Sequence, residues 1–387
     1  MTGTPSGLRR ALVSAIGTVT AGAMVALAPL STATAAPRAA DGAAPAVPAS
    51  STTEWRFQSW LPVNGGLTSV AAVSRTDAWV VGNQGSTHLR PYILRWNGQR
   101  WGATAIPGAS DYVYSQVAAT SPGDVYVLGS YKLYGSTDQK LFRFDGAHWH
   151  SISVPQHSYL YDLDVLGPAS VWGVAAGGSS GCTFTPKTAD CKTEMMHWNG
   201  SRWQSYPVGT TVTGLAGTAA TGPWVVGVDG KNWAEGNGSA HGTLVAFHWS
   251  GGRWVPAPHM PQPQTTLQPG VGVGSASQIW IGWTGTDGQT THALYWNGHT
   301  WRQLNPPAIV EANTYGIVPD GHGGVWMGFQ AHWTGSSWIN APVVYPPAGT
   351  AGYQNAQIAR VPGTAGSYWD TGGENGRPVV FLYGPLP

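Results

Sequence analysis

Charge is scarce in this sequence: 10% of its 387 residues are Asp, Glu, Lys or Arg. No basic run or patch stands out, which argues against nucleic acid as a partner. Cysteine is scarcer still, with Cys182 and Cys191 alone. Strong helix formers in periodic runs are missing, so a helical bundle is excluded. The chain has no phosphate-binding loop and no His-Glu-x-x-His. The Ser-x-Asp-x-Gly-x-x-Trp box of sialidases is absent too. Each lack removes one route to chemistry: a loop-bound nucleotide, a zincin-type metal site, a sialidase. What abounds is 54 Gly, 29 Pro and 21 Trp, the composition of an all-β protein with many tight turns.

Those tryptophans recur in a pattern. Trp96-Asn97-Gly98-Gln99-Arg100-Trp101 returns as Phe144–Trp149, Trp198–Trp203, Trp249–Trp254, Trp296–Trp301 and Trp333–Trp338. Asn-Gly and Asp-Gly accept φ > 0 at both centres of a two-residue hairpin turn. An aromatic before the turn and a Trp after it predict two strands clamped by a cross-strand pair. Around each hairpin a larger unit repeats. A short apolar first strand (Leu67–Ser74 in the first unit) leads through a turn to a second strand centred on one aromatic. Those aromatics are Trp79, Tyr126, Trp172, Trp224, Trp280, Trp326 and Trp369, spaced 47, 46, 52, 56, 46 and 43 residues apart.

Four strands per unit of this length is the blade of a β-propeller. Seven aromatics mean seven blades, but there are six hairpins. The seventh unit stops after its third strand, Val379–Tyr383, while Trp55–Pro62 has a Trp and a Pro but no unit. The expected fold is therefore all-β, a seven-bladed β-propeller over residues 54–387. Its last blade is closed by the N-terminal strand, about residues 55–62. Even spacing and the lack of an internal linker argue against two separate β-domains.

Residues 1–36 read as a signal peptide. Arg9 and Arg10 precede an apolar stretch, and Ala33-Thr34-Ala35 supplies a cleavage site. Residues 37–53, rich in Ala, Pro and Ser, read as a flexible leader or pro-segment. The protein is thus expected to be secreted and extracellular, not membrane-bound. Without Arg9 and Arg10, 17 basic residues face 18 acidic ones, a net charge of −1. In an oxidising compartment Cys182 and Cys191 are expected to form a disulfide.

Candidate sites follow from what does not repeat. Insertions between second and third strands (Gly82–Pro91, Ser130–Lys140, Gly177–Lys192, Val228–Gly242, Thr284–Thr291) gather on one face of a propeller, where variable loops often bind. Most tryptophans sit at repeat positions and are assigned to packing. Trp233 and Trp283 lie outside the pattern and are the possible ligand contacts of a carbohydrate-binding, lectin-like alternative. His197, His248 and His332 share their place before the hairpin aromatic with Arg95, Arg143 and Tyr295, so they face solvent or a neighbouring blade and are no metal ligands. A glycosidase needs two flanking carboxylates. Asp111, Asp162, Asp164 and Glu311 lie near first strands, and Asp162 and Asp164 share one strand face, as a catalytic pair, a solvated pair or a calcium site would. The glutamines Gln84, Gln139 and Gln289 fall in insertions, Gln99 in a hairpin turn, and Gln262 and Gln264 in a Pro-rich link. Exposed glutamine on flexible backbone is what a transglutaminase requires of an acyl donor.

The small-residue first strand, the Asp-x-Trp second strand and the Trp-Asn-Gly-x-x-Trp hairpin together resemble secreted seven-bladed propellers of filamentous soil bacteria. The likeness runs from about residue 55 to the end. It implies a non-enzymatic protein that binds secreted neutral metalloproteases of the dispase/thermolysin type and promotes their autolysis; separately, no cofactor is expected, and the chain is expected to be a monomer. It also implies a glutamine-donor substrate of transglutaminase.

Overall fold

A computed structural model describes residues 54–85, 89–131, 138–156, 158–176, 193–229, 242–265, 269–307, 316–345, 354–364, 366–374 and 377–384. Among these there is no helix, so none that could cross a membrane. The strands form seven sheets, antiparallel apart from one short parallel pair in the last. In blade 1 the order from inside out is Gly66–Ser74, Asp77–Gln84, Arg90–Trp96 and Trp101–Thr104. The inner strands of blades 2 to 7 are Tyr112–Ser121, Tyr159–Gly167, Thr211–Thr218, Gly270–Ser275, Ile317–Pro319 and Gln354–Arg360. Each inner strand touches the next, and that of blade 7 touches that of blade 1, so the ring closes.

Second strands are buried on both faces and mostly apolar, as Ala78-Trp79-Val80-Val81 shows, because a blade is covered on both faces by its neighbours. All seven second-strand aromatics are buried. Several can be followed directly onto the aromatic pair of the following blade. Trp79 lies 5.6 Å from Phe144 and 6.0 Å from Trp149, and Trp172 lies 5.1 Å from Trp249 and 5.6 Å from Trp254. Trp369 of blade 7 reaches Trp96 and Trp101 of blade 1, at 5.5 and 5.6 Å. The repeated tryptophans are therefore the mortar between blades, at centroid distances typical of favourable edge and tilted pairs.

The last blade is completed as the sequence predicts. Its strands are Gln354–Arg360, Tyr368–Glu374, Arg377–Tyr383 and then Trp55–Trp60. Trp55 pairs across the sheet with Tyr383, as Trp96 pairs with Trp101 in blade 1. The second-strand aromatic of blade 6, Trp326, packs on both, 4.6 Å from Tyr383 and 5.3 Å from Trp55. One feature was not anticipated. Val343–Val344 runs parallel to Trp55 and Arg56 on the outer side, a fifth strand that covers the start of the closing one.

The hairpin turns differ from expectation in one detail. The residue with positive φ is the glycine alone, 92° at Gly98, and the turn centre is Gly98-Gln99. Asn97 stands one place earlier and caps the turn: its side-chain oxygen accepts from the N–H groups of Gln99 (3.0 Å) and Arg100 (2.9 Å). Asp145, Asn199 and Asn297 do the same in their blades. Asn or Asp serves here through its side-chain oxygen, not through tolerance of the left-handed region. The hairpin Gly251-Gly252 is the one with two positive φ values, 59° and 81°.

Candidate functional site

Aligning the inner strands on the aromatics they face isolates two positions. Opposite the second-strand aromatic stand Ala71, Ala118, Asp164, Ala216, Gly272, Val318 and Ala359. Two residues earlier stand Ser69, Gln116, Asp162, Gly214, Gly270, Gly316 and Gln357. Blade 3 alone carries carboxylates, and it carries one at each position. Alternation along a strand puts both on the same side of the sheet.

The earlier position has a structural duty. The Gln357 side-chain oxygen accepts from the N–H of Val70 at 2.9 Å and from the Ser69 hydroxyl at 2.7 Å. Ser69 in turn accepts from the N–H of Val117 at 3.0 Å. Asp162 repeats the pattern one seam further on. It accepts from the N–H of Leu215 in blade 4 at 3.1 Å, from the Gln116 amide of blade 2 at 3.0 Å, and from the N–H of Leu163 at 2.9 Å. A carboxylate so used ties three blades together. Asp164 accepts from the N–H of Val165 at 2.9 Å and from that of Gly217 in blade 4. Bulge residues add a second set of latches: Thr68 donates to the Tyr114 carbonyl, Tyr161 to that of Val212, and Thr213 to that of Pro269.

Both carboxyls titrate high. The ring wall surrounds these half-buried residues, and that loss of solvent pushes Asp162 up to about 6 and Asp164 up to about 7. The charge of Asp162 adds to the rise at Asp164, while the accepted hydrogen bonds pull both down. Two carboxyls with raised and unequal pKa values could serve as an acid and a base. Asp162, however, has its oxygens committed to N–H donors. Asp111 does not join the pair: it is exposed in the link before blade 2. Glu311 lies outside the described residues, and among those described no group of three His, Cys, Asp or Glu could hold a metal ion.

The histidine position resolves into stacking. His197 lies flat on Trp172 (4.2 Å, 12°) and His332 on Trp326 (4.4 Å, 3°). Tyr295 stacks on Trp280, and Arg95 sits 4.7 Å over Trp79. These side chains face the ring of their own blade, a finer answer than solvent or a neighbouring blade. Burial lowers the pKa of His197 and His248.

Trp283 is not available to a ligand. It is 2% exposed, stacked on His292 and packed with Trp224 and Val271 between blades 4 and 5. It stands three residues after its aromatic, where other blades have Gly82, Gly129 and Gly227. Blade 1 sets Gly82 opposite Tyr92 and blade 5 sets Trp283 opposite His292, so the bulky partner has moved across the ladder. Trp233, Cys182 and Cys191 lie outside the described residues, as do residues 1–53.

The glutamines separate sharply. Gln139 is not in a loop: it opens the third strand of blade 2 and is buried. Its amide donates to Ser130 and to the Leu160 carbonyl, and its oxygen accepts from the Leu160 N–H at 2.7 Å. Gln84 ends a strand, half-buried. Gln99 is exposed at a hairpin tip, on the face opposite the insertions. Gln264 is exposed, but it lies in the short strand Gln264–Thr265 and donates to Thr243. Gln289 is exposed in a turn held by Asp287, whose carboxyl is kept at about 2 chiefly by its hydrogen bonds to Thr290 and Gln289. Gln262 is exposed in a strandless stretch between Pro261 and Pro263.

No family model and no curated protein sequence matches the chain. Solved structures do. The structure of YCF48 bound to D1 peptide is 15% identical, with a TM-score of 0.54 over 87% of this chain and 99% of that one. YCF48 from Cyanidioschyzon merolae is 12% identical, with a TM-score of 0.55 over 86% and 99%. The propeller domain of the trilobed protease from Pyrococcus furiosus is 8% identical, with a TM-score of 0.54 over 83% and 96%. These proteins share the propeller fold. The Pyrococcus domain is described as having an open velcro topology, whereas here the strand Trp55–Trp60 completes the last blade.

Proposed function

We propose that this chain is a secreted, non-enzymatic, protein-binding propeller. Its finer likeness is to the dispase autolysis-inducing protein. On that reading it promotes autolysis of a neutral metalloprotease of the dispase/thermolysin type and serves as a glutamine donor to transglutaminase. The observation that carries the reading is the division of labour in the ring. Recurrent residues are spent on joining blades, and the insertions and inter-blade links, which do not repeat, share one face. Gln262 and Gln289 are exposed on that face, in neighbouring blades. The fold can host such a role, since the YCF48 structure holds a peptide. A protease held beside a second copy, or in a partly opened state, would be cleaved faster. The carbohydrate-binding alternative loses one of its two tryptophans, because Trp283 is core.

Two measurements test this. The lifetime of intact thermolysin-like protease on a gel should shorten with excess propeller, and an unchanged lifetime refutes the protease half. For the second half, amine labelling by microbial transglutaminase should mark Gln262 first and leave Gln139 unmarked. Labelling of Gln139 in the folded protein would contradict the assignment.

A further inference from the structure

Among the described residues, charge is unevenly distributed over one face of the ring. Within every blade the inner-to-second turn and the third-to-outer hairpin lie at the same end, opposite the insertions. Among the described residues this turn face carries Glu54 in blade 7 and four aspartates, each aspartate with its own partner: Asp77 with Arg95 (2.6 Å), Asp124 with Arg143 (3.2 Å), Asp145 with His150 (2.6 Å) and Asp320 with His332 (3.2 Å). It also carries Arg75 and Arg100 in blade 1, Arg202 in blade 3 and Arg253 in blade 4. All four are exposed, and among the described residues none forms an ion pair. The chain is nearly neutral, so its net charge hides a cationic arc along one half of one face. Blades 6 and 7 add no exposed arginine to it, their turns there ending in Ser336-Ser337 and in the open pair Trp55–Tyr383.

We propose that this arc binds an extended polyanion, a polymer with regularly repeated phosphate or carboxylate groups. Every free cation is an arginine, whose planar fork pairs with either group bidentately. The cations stand on turn tips spread over three blades, two of them in blade 1, so a compact anion could meet one or two while a linear polymer could meet all four. A folded acidic protein fits less well, because such interfaces are built around an apolar centre. The large apolar side chains that are well exposed, Val344 and Tyr345, lie instead beside the closing strand of blade 7.

The test uses the full ring and two immobilised polymers, long-chain polyphosphate and poly-glutamate. Retention at about 50 mM salt should fall steeply by about 300 mM, since binding releases counterions. Arg202→Gln/Arg253→Gln should weaken binding about tenfold or more at low salt and flatten the salt dependence. Arg90→Gln/Arg377→Gln removes the same charge from the insertion face and should change binding less than about threefold; melting curves confirm that both variants fold. Retention on one polymer alone identifies the anion. Failure to bind either polymer at low salt overturns the proposal, and so does an equal loss in the control pair, which would mark a general charge effect.

Discussion

Blade 7 and blade 3 each break the repeat once, in opposite ways. Blade 7 keeps the chemistry and loses the covalent turn: Tyr383 and Trp55 form the cross-strand pair that six hairpins form elsewhere, with no loop between them. Blade 3 keeps the connectivity and changes the chemistry, placing Asp162 and Asp164 where other blades have neutral or small residues. Both departures survive because the repeat is held at its seams. What each seam needs is an aromatic pair on the outside and a hydrogen-bond latch near the axis.

Removing the pair should therefore cost most where no turn stands behind it. Trp55 is fully buried and touches Trp326, Phe329 and Tyr383. Trp55→Ala should destabilise by about 4 kcal/mol and lower Tm by about 8 °C or more. Trp301→Ala, at a half-buried hairpin position, should cost about half as much. Equal losses would mean that the missing turn makes no difference. The next effect belongs to blade 3. Asp162→Ala leaves the N–H of Leu215 and the amide of Gln116 without their acceptor, a loss of about 2–3 kcal/mol. Thermal melts of the two variants rank the outer and inner halves of the seam.

A smaller effect separates the two carboxyls by pH. Asp164 titrates near 7 in the fold and near 4 when unfolded. Between those values the folded chain holds a proton that the unfolded chain has released, so stability falls as pH rises through the window. Asp162, raised to about 6, acts in the same sense. Asp164→Asn, a mimic of the protonated form, should raise Tm by about 3 °C at pH 8 and leave it unchanged near pH 4. A gain that is the same at both pH values would show that packing, not ionisation, sets the cost.

The architecture was legible because it repeats: aromatic spacing gave the blade count, and the unmatched Trp55–Pro62 gave the closure. The site was legible in part. Asp162 and Asp164 stood out as charge, but Ser69, Gln116 and Gln357 did not, because a bulge at Thr68, Ser115 or Ala356 hides their common position until pairing is known. Gln139 misled because polar residues flank it, and burial with three satisfied hydrogen bonds is invisible to composition. Trp283 misled for a related reason. A residue off the repeat can still be core when its cross-strand partner changes size to match.

The smallest expected effect bears most directly on blade 7. A circular permutant would join Tyr383 to Trp55 through Asn-Gly-Gln-Arg, copying the turn of blade 1, and open the chain between Gly98 and Gln99. Blade 7 then gains a covalent hairpin and blade 1 keeps only its Trp96–Trp101 pair. Loop-closure entropy is moved from one seam to another and hardly changed, since it varies slowly with length. The permutant should fold with a Tm within about 2 °C of the parent. A drop comparable to that of Trp55→Ala would show that Trp96 and Trp101 depend on their turn, and that Val343–Val344, which blade 1 has no counterpart for, is what allows blade 7 to do without one.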